Sequence, residues 1–401
     1  MEGSKPPFFA MKTENTTDRI LSIDVLRGLV IVLMALDHVR DYFHNDAFIH
    51  DPMDLNTTTP VLYFTRWITH FCAPIFIFLA GISAYLSGNK KSPKELQLFL
   101  LKRGAWLILI ELTVVNFGWM FNPFFSASIL QVIWAIGACM VLLALVVRLA
   151  QKLILVLGIT IIGLHNALDS LSASFQESFL YNIFHTSGFK GFQVTENYSI
   201  VTVYGVLPWF GIMCLGFGLA FIFKPNYNSI QRRKILLLSG FGMLLLFVVL
   251  RLINGFGDPN PFTIQPSLTN TILSFLDVSK YPPSLMYSLL MLGPALLFLA
   301  WFETTQNSIT NKLKVFGSVP FFFYIVHIYV IHVLVIPLFF AQGYTLADIV
   351  QRPFWFRPDV MGFNLYGVYA VWILVVVLLY PLCKRYYSYK LHNKRWWLSY
   401  L

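Results

Sequence analysis

The amino-acid sequence predicts an all-α protein, a polytopic membrane helix bundle of about ten (10–11) transmembrane helices with both termini cytoplasmic. Three observations carry that reading. Only 12% of the 401 residues are charged and 57% are hydrophobic, whereas soluble chains average about 25% charged. Apolar runs of about 20 residues, enough to cross a hydrocarbon layer about 30 Å thick, follow one another with short polar joints. The cations collect at alternate joints, the asymmetry that fixes orientation in a membrane. A net charge of +10 spread over helix ends excludes a basic nucleic-acid-binding domain.

In chain order, residues 1–19 are polar and carry no apolar stretch of a cleavable signal, so they are expected to form a cytoplasmic tail, with the first helix as insertion signal. Spans are expected at 20–43, 60–87, 98–121, 128–150, 152–172, 199–223, 234–255, 284–303, 314–340 and 365–383, with an eleventh possible in 256–283 or 341–364. They form one domain over 20–383, and 384–401 is a cytoplasmic tail. With the N-terminus inside, 21 of the 29 Lys and Arg residues fall on the cytoplasmic side. Arg40, Lys190, Lys280, Arg352 and Arg357 remain outside, and Arg27, Arg66 and Arg251 lie within spans. The same topology puts His38, His44, His50, His70, His165, His185 and His332 at or beyond the outer helix ends, with His327 deep in the ninth span and His392 inside. Histidine exchanges protons near neutral pH, so proton-transfer chemistry is expected at the outer face. Cys72, Cys139, Cys214 and Cys383 lie in apolar segments without metal-ligand spacing and read as buried side chains. No metal site is expected.

The first span holds the strongest functional signal. At about 100° per residue, and with Arg27 at zero, Asp24 falls near +60°, His38 near +20° and Asp41 near −40°, one stripe along one face. Asp24 and His38 are about 21 Å apart at 1.5 Å per residue. Ionisable groups in a bilayer face a bundle interior or one another, so the stripe should line a site running most of the way across the membrane. Asp24 and Arg27 suit an ion pair or an anion-binding group near the cytoplasmic mouth. Gly28 would let another helix approach closely. Asp37, His38, Arg40, Asp41 and His44 crowd the outer end, and the second span adds Arg66 and His70 at the same level. His38, Asp41, Arg66 and His70 are therefore expected to meet, as either a salt-bridge cluster or a general-base site in which a carboxylate orients an imidazole. In the ninth span His327, three residues after Tyr324, reads as a buried, satisfied histidine. Glu111 and Arg251 are charges in need of partners.

Lys102, Arg103, Lys312 and Lys314 stand at cytoplasmic helix ends, where they suit lipid headgroups or phosphates. The chain has no glycine-rich phosphate loop, zinc motif, Gly-x-Ser-x-Gly elbow or dinucleotide fingerprint. Any phosphate site must be assembled from scattered cations.

Ser22-Ile23-Asp24-Val25-Leu26-Arg27-Gly28-Leu29, with Asp37-His38 closing the helix, resembles the start of the catalytic domain in the heparan-α-glucosaminide N-acetyltransferase family. Phe71-Cys72-Ala73-Pro74-Ile75-Phe76-Ile77-Phe78-Leu79-Ala80-Gly81 is similar to that family's second helix, and Phe316-Gly317 with Tyr324 to a late one. The resemblance implies a bundle that moves an acyl group, usually acetyl, from cytoplasmic acetyl-CoA to a sugar or glycan acceptor on the other side, with a homodimer as the expected assembly. It implies a catalytic histidine in the segment after the first helix, where His44 and His50 both stand. The animal enzyme has asparagine at the position of His38 and an acidic residue at that of His70, and a lumenal domain that is not expected in this chain. A bacterial inner membrane suits these features.

The mechanism expected on that basis places the donor's phosphates near Asp24 and Arg27, Lys102, Arg103 and Lys314. The thioester reaches His38, and His44, His50 or His70 serves as base. Asp37 or Asp41 orients the imidazole, while Arg40 or Arg66 stabilises the oxyanion. Membrane lipid, acyl-CoA and the acceptor are the expected partners. The competing expectation is a proton-coupled transporter using the same Asp, His and Arg groups as a relay.

Overall fold

The computed structural model describes residues 20–171, 173–185, 188–349, 353–393 and 395–399. The expected tail 1–19, Arg352 and Lys394 lie outside the described residues. The first helix, α1, spans Leu21–Phe43. The expected second span is two helices, α2 (Pro60–Thr69) and α3 (Cys72–Gly88), separated at His70 and Phe71. Pro60 at the first turn of α2 follows a Thr59 cap, since a proline lacks only an N–H that the helix start leaves unused. The third is α4 (Pro93–Ile110), started by a Ser92/Glu95 capping box. A π-helical turn, Glu111–Val115, carries it into α5 (Asn116–Met120).

Two expected spans begin differently. The segments from 128 and from 199 open as strands β1 (Ala127–Leu130) and β3 (Tyr198–Thr202), before α6 (Val132–Val146) and α10 (Val206–Leu219). Between them lie α7 (Gln151–Leu164), α8 (Ala173–Gln176), α9 (Phe179–His185) and β2 (Lys190–Thr195). The sheet order is β1-β3-β2, with β1 parallel and β2 antiparallel to β3. Period is a poor guide over runs of only four or five residues, and the β-branched Ile200, Val201 and Thr202 prefer a pleated surface.

The remainder follows the expected order: α11 (Ser229–Ile253), α12 (Leu268–Leu276), α13 (Leu285–Phe302), α14 (Ser308–Ser318), α15 (Pro320–Ala341) and α16 (Leu365–His392). The ninth span is divided at Val319, because a residue before proline is pushed out of the helical region; its φ is −133 and ψ 50. The last helix runs nine residues past the expected boundary at 383, to His392.

Among the described residues seven helices are long and apolar enough to cross a membrane: Pro60–Gly88, Gln151–Ser170, Val206–Phe223, Ser229–Ile253, Leu285–Phe302, Pro320–Ala341 and Leu365–His392. Val132–Val146 is a shorter apolar helix. The first helix is not among the seven, since Asp24, Arg27, Asp37, Arg40 and Asp41 interrupt it. Its place explains how those charges are tolerated. It packs against α2, α3, α13, α14, α15 and α16, so its ionisable face meets protein. The apolar α11 and α16 keep most of their surface at the periphery. The tightest approach to α1 is by α14. A Cβ on Gly28 would strike the Leu313 carbonyl, and one on Gly317 the Asp24 carbonyl, so the two glycines let the backbones touch.

Candidate active site

Two layers of polar side chains sit on α1, and a cavity lies between them. At the N-terminal layer Arg27 donates to Asp24 at 3.1 Å, to the Gly317 carbonyl at 3.2 Å and to the Ser83 hydroxyl at 3.0 Å. Arg27 also lines a cavity of about 450 Å³ whose polar walls include Ser83, Ser87, Lys91, Arg103, Ser318 and Lys390. That volume lies in the range of small-molecule sites. Deeper in, the walls become apolar, with Phe76, Leu107, Ile133, Ile136 and Met140, and they reach Met34 and Tyr324. Arg103 is thus the expected phosphate-binding residue besides Arg27 that faces the cavity. Lys102 is exposed and Lys314 half-buried, and neither lines it. Lys91 and Lys390 were not singled out from the sequence. Lys390 lay in the expected tail, and only the length of α16 brings it to the cavity mouth.

One turn beyond Met34 on α1, past the residues that line the cavity, stands His38. Its Nδ1 is 2.7 Å from Nε2 of His327 on α15, whose Nδ1 is 3.0 Å from the Phe323 carbonyl. A carbonyl only accepts, so the proton between them belongs to His327 Nδ1. The neutral ring's Nε2 then accepts, and His38 must donate from Nδ1. This chain fixes the His38 tautomer with its Nε2 lone pair unused, the arrangement of a general base. His38 is half-buried, whereas His327 is fully buried. The His38 ring lies edge-on to Trp119, centroids 4.7 Å apart, and to Tyr324 at 6.2 Å. The Trp119 indole N–H faces the Tyr324 hydroxyl oxygen. Both are buried, and neither makes a well-formed hydrogen bond to the protein. Buried donors are normally satisfied, so a pair left over beside a base marks a place for an oxygen.

The C-terminal layer is an ion-pair chain. Arg66 on α2 reaches both oxygens of Asp37 at 2.5 and 2.6 Å, and Arg40 reaches Asp41 at 2.5 Å and Asp37 at 3.6 Å. The expected meeting of His38, Asp41, Arg66 and His70 is therefore rearranged: His38 turns to His327, Arg66 takes Asp37, and Asp41 takes Arg40. His70 occupies the break between α2 and α3, where its carbonyl accepts from Tyr287 at 2.7 Å and its Nδ1 is buried without a partner. His44 ends α1; its carbonyl accepts from Arg357 at 2.8 Å, and burial holds its imidazole below the usual range, against the pull of Asp46. His50 is exposed on the following turn. Arg357 also binds the Asp41 carbonyl, and burial among these carbonyls pushes it down to about 10.

The two unassigned charges find partners. Glu111, in the π-helical turn, accepts from the Trp134 amide at 2.9 Å and so caps α6. Arg251 donates to the carbonyls of Asn260, Ser274, Phe275 and Asp277. All four cysteines are buried and unbridged. Among the described residues no cluster of three or more His, Cys, Asp or Glu could hold a metal ion.

Compared with known families, residues 19–249, more than half the chain, match the family described as heparan-alpha-glucosaminide N-acetyltransferase, catalytic. No curated protein matches the chain.

Proposed function

The chain belongs to the heparan-α-glucosaminide N-acetyltransferase catalytic family, and from that premise we propose that this integral membrane acetyltransferase moves an acetyl group from cytoplasmic acetyl-CoA to a sugar or glycan acceptor on the outer side. In this reading α1, α4 to α5 and α6 join the seven apolar helices as spans, giving ten, with both termini in the cytoplasm of a bacterial inner membrane. The layer of Asp24 and Arg27 then faces the cytoplasm and that of Asp37 and Asp41 faces out. The observation that carries the proposal is the cavity that leads from a cationic mouth to Tyr324, whose ring lies 6.2 Å from that of His38, a histidine of fixed tautomer.

Lys91, Arg103, Lys390 and Arg27 hold the donor's phosphates, with Lys102 and Lys314 adding attraction from outside the cavity. The pantetheine arm lies along the apolar walls and presents the thioester at Tyr324. The acceptor nitrogen or oxygen attacks the carbonyl carbon while His38 Nε2 takes its proton, and His327 steadies the imidazolium that forms. Negative charge on the carbonyl oxygen is met by the Trp119 N–H and Tyr324 O–H. This replaces the expected role of Arg40 and Arg66, whose guanidiniums are committed to Asp41 and Asp37. The C–S bond then breaks, and the proton on His38 passes to the departing CoA thiolate. His44, His50 and His70 stand on the acceptor side of this base and serve acceptor binding.

Full-length protein in nanodiscs, given labelled acetyl-CoA and a pool of amino sugars and glycans, is expected to release CoA thiol and label an acceptor. His38→Ala should lower the rate about 10²- to 10⁴-fold, the usual contribution of a general base. Equal release by the native protein and the variant would sink the proposal. A proton-coupled transporter would consume no acetyl-CoA, so the same assay separates the two readings.

A further inference from the structure

The buried charges at the C-terminal layer do not cancel. The carboxylates there are Asp37 and Asp41, and the cations acting on both are Arg40, Arg66 and Lys280, joined at Asp41 by Arg357. Arg66 is taken up by Asp37 and Arg40 by Asp41. Arg357 is taken up by main-chain carbonyls. Lys280 is left over. It is 8% exposed, its backbone is held by a bridge to Pro283, and its ammonium lies 5.1 Å from the Tyr281 ring. Among the described residues no carboxylate comes within ion-pair distance of it.

A buried ammonium without a counter-ion is costly, and a ring face compensates only part of that. Two more buried polar atoms in the layer lack partners, Arg40 Nε and His70 Nδ1. Lys280 acts on His70, and among the cations around His38 it acts on that ring more strongly than Arg66 or Arg40. The surplus positive charge therefore lies within electrostatic reach of His38.

We propose that Lys280, with Arg40 Nε and His70 Nδ1, forms an anion subsite that recognises a carboxylate, sulfate or phosphate on the acceptor and brings its nucleophile to His38. That the anion belongs to an acceptor rests on the acetyl-transfer reading; the anion site itself does not. A negatively charged substituent supplies the counter-charge that Lys280 lacks, and a neutral sugar does not. Lipid headgroups carry the same chemistry.

The test is equilibrium binding to the full-length protein in phosphatidylcholine nanodiscs, without acetyl-CoA, using glucosamine, glucosamine 6-phosphate and glucosamine 6-sulfate as probes and inorganic phosphate as competitor. The charged sugars are expected to bind at least about tenfold more tightly than glucosamine, a typical margin for a charge-assisted contact. The margin should fall to about one in Lys280→Met and survive in Lys280→Arg, both checked for monodisperse elution and native-like melting. No margin in the native protein, no binding of the charged sugars, or a margin that survives in Lys280→Met would overturn the proposal. A margin abolished only in phosphatidylglycerol nanodiscs supports the subsite and identifies a lipid phosphate as its anion. Because acetyl-CoA is absent, failure here is distinct from failure to release CoA.

Discussion

At the residue scale the decisive object is a hydrogen-bonded row of three groups: the Phe323 carbonyl, His327 and His38. The row leaves the His38 Nε2 lone pair unused, and the buried Trp119 and Tyr324 polar atoms near it make no well-formed hydrogen bond to the protein. Tyr324→Phe and Trp119→Phe each remove one donor and keep the ring. Each is expected to lower kcat about 10²- to 10³-fold while KM for acetyl-CoA changes less than about twofold. A loss confined to KM would contradict the oxyanion assignment and make both residues donor-binding groups. His38 was legible in the sequence because an imidazole on a charged stripe inside an apolar helix has few structural reasons to be there. Its partner was not. His327 sits 289 residues away, and one helix's periodicity says nothing about which rotamer or neighbour a residue on another helix meets. Arg66 shows the same limit: its membrane level was readable, but its choice of Asp37 over Asp41 depends on how α2 tilts against α1.

At the element scale the spans were legible wherever apolar runs met clear punctuation. Ser92 and Glu95, Asn228 and Gln231, and Asn307 and Thr310 all form capping boxes at helix starts. The misplaced boundaries have local causes. The start of the fourth span hid a strand because four residues, Ala127–Leu130, are too few to show a period, and α16 outruns its expected end because Tyr386 and Tyr389 keep packing after the apolar run has stopped. Gly28 was the most exact element-level signal, and the structure pairs it with Gly317. Gly28→Leu drives a side chain into the α14 backbone, and overpacking of this kind costs about 1–3 kcal/mol. A lower melting midpoint in detergent is expected, whereas Gly163→Leu, where a Cβ meets nothing, should leave the midpoint close to native. Equal midpoints for the two variants would show that the α1–α14 contact does not limit stability.

At the scale of the whole molecule, the acidic loops beyond the helices set a pH dependence. Burial pushes the Asp277 carboxyl up to about 6, with Asp258 and Asp51 adding to the rise and Arg251 opposing it. The folded state therefore holds this proton more tightly than the unfolded chain, whose aspartate titrates near 3.9. The contribution to stability is fully present below about pH 4 and is lost as pH rises through about 6. Asp277→Asn removes that loss, so its melting midpoint should exceed the native one at pH 7.5 by more than at pH 4.5. Parallel midpoints across this range would refute the assignment. The loop's electrostatics were out of reach of the sequence, since Asp277 meets Asp258 and Asp51 only through the return of three separate segments. The sorting of cations by joint was readable because it is a property of the chain's order and needs no packing.

The hub position of α1 also has a meaning in time. Arg27 finds its Gly317 carbonyl 290 residues later in the chain. At a synthesis rate of roughly 5–20 residues per second, about 15 to 60 seconds separate the two. For most of that interval the most highly charged helix is already made, while α13 to α16, four of the six helices that bury it, are not. Until they arrive its Asp, Arg and His side chains must be screened from lipid by the insertion machinery or by water held at the nascent bundle's edge. Chains truncated before α14 are therefore the ones a quality-control protease should clear first.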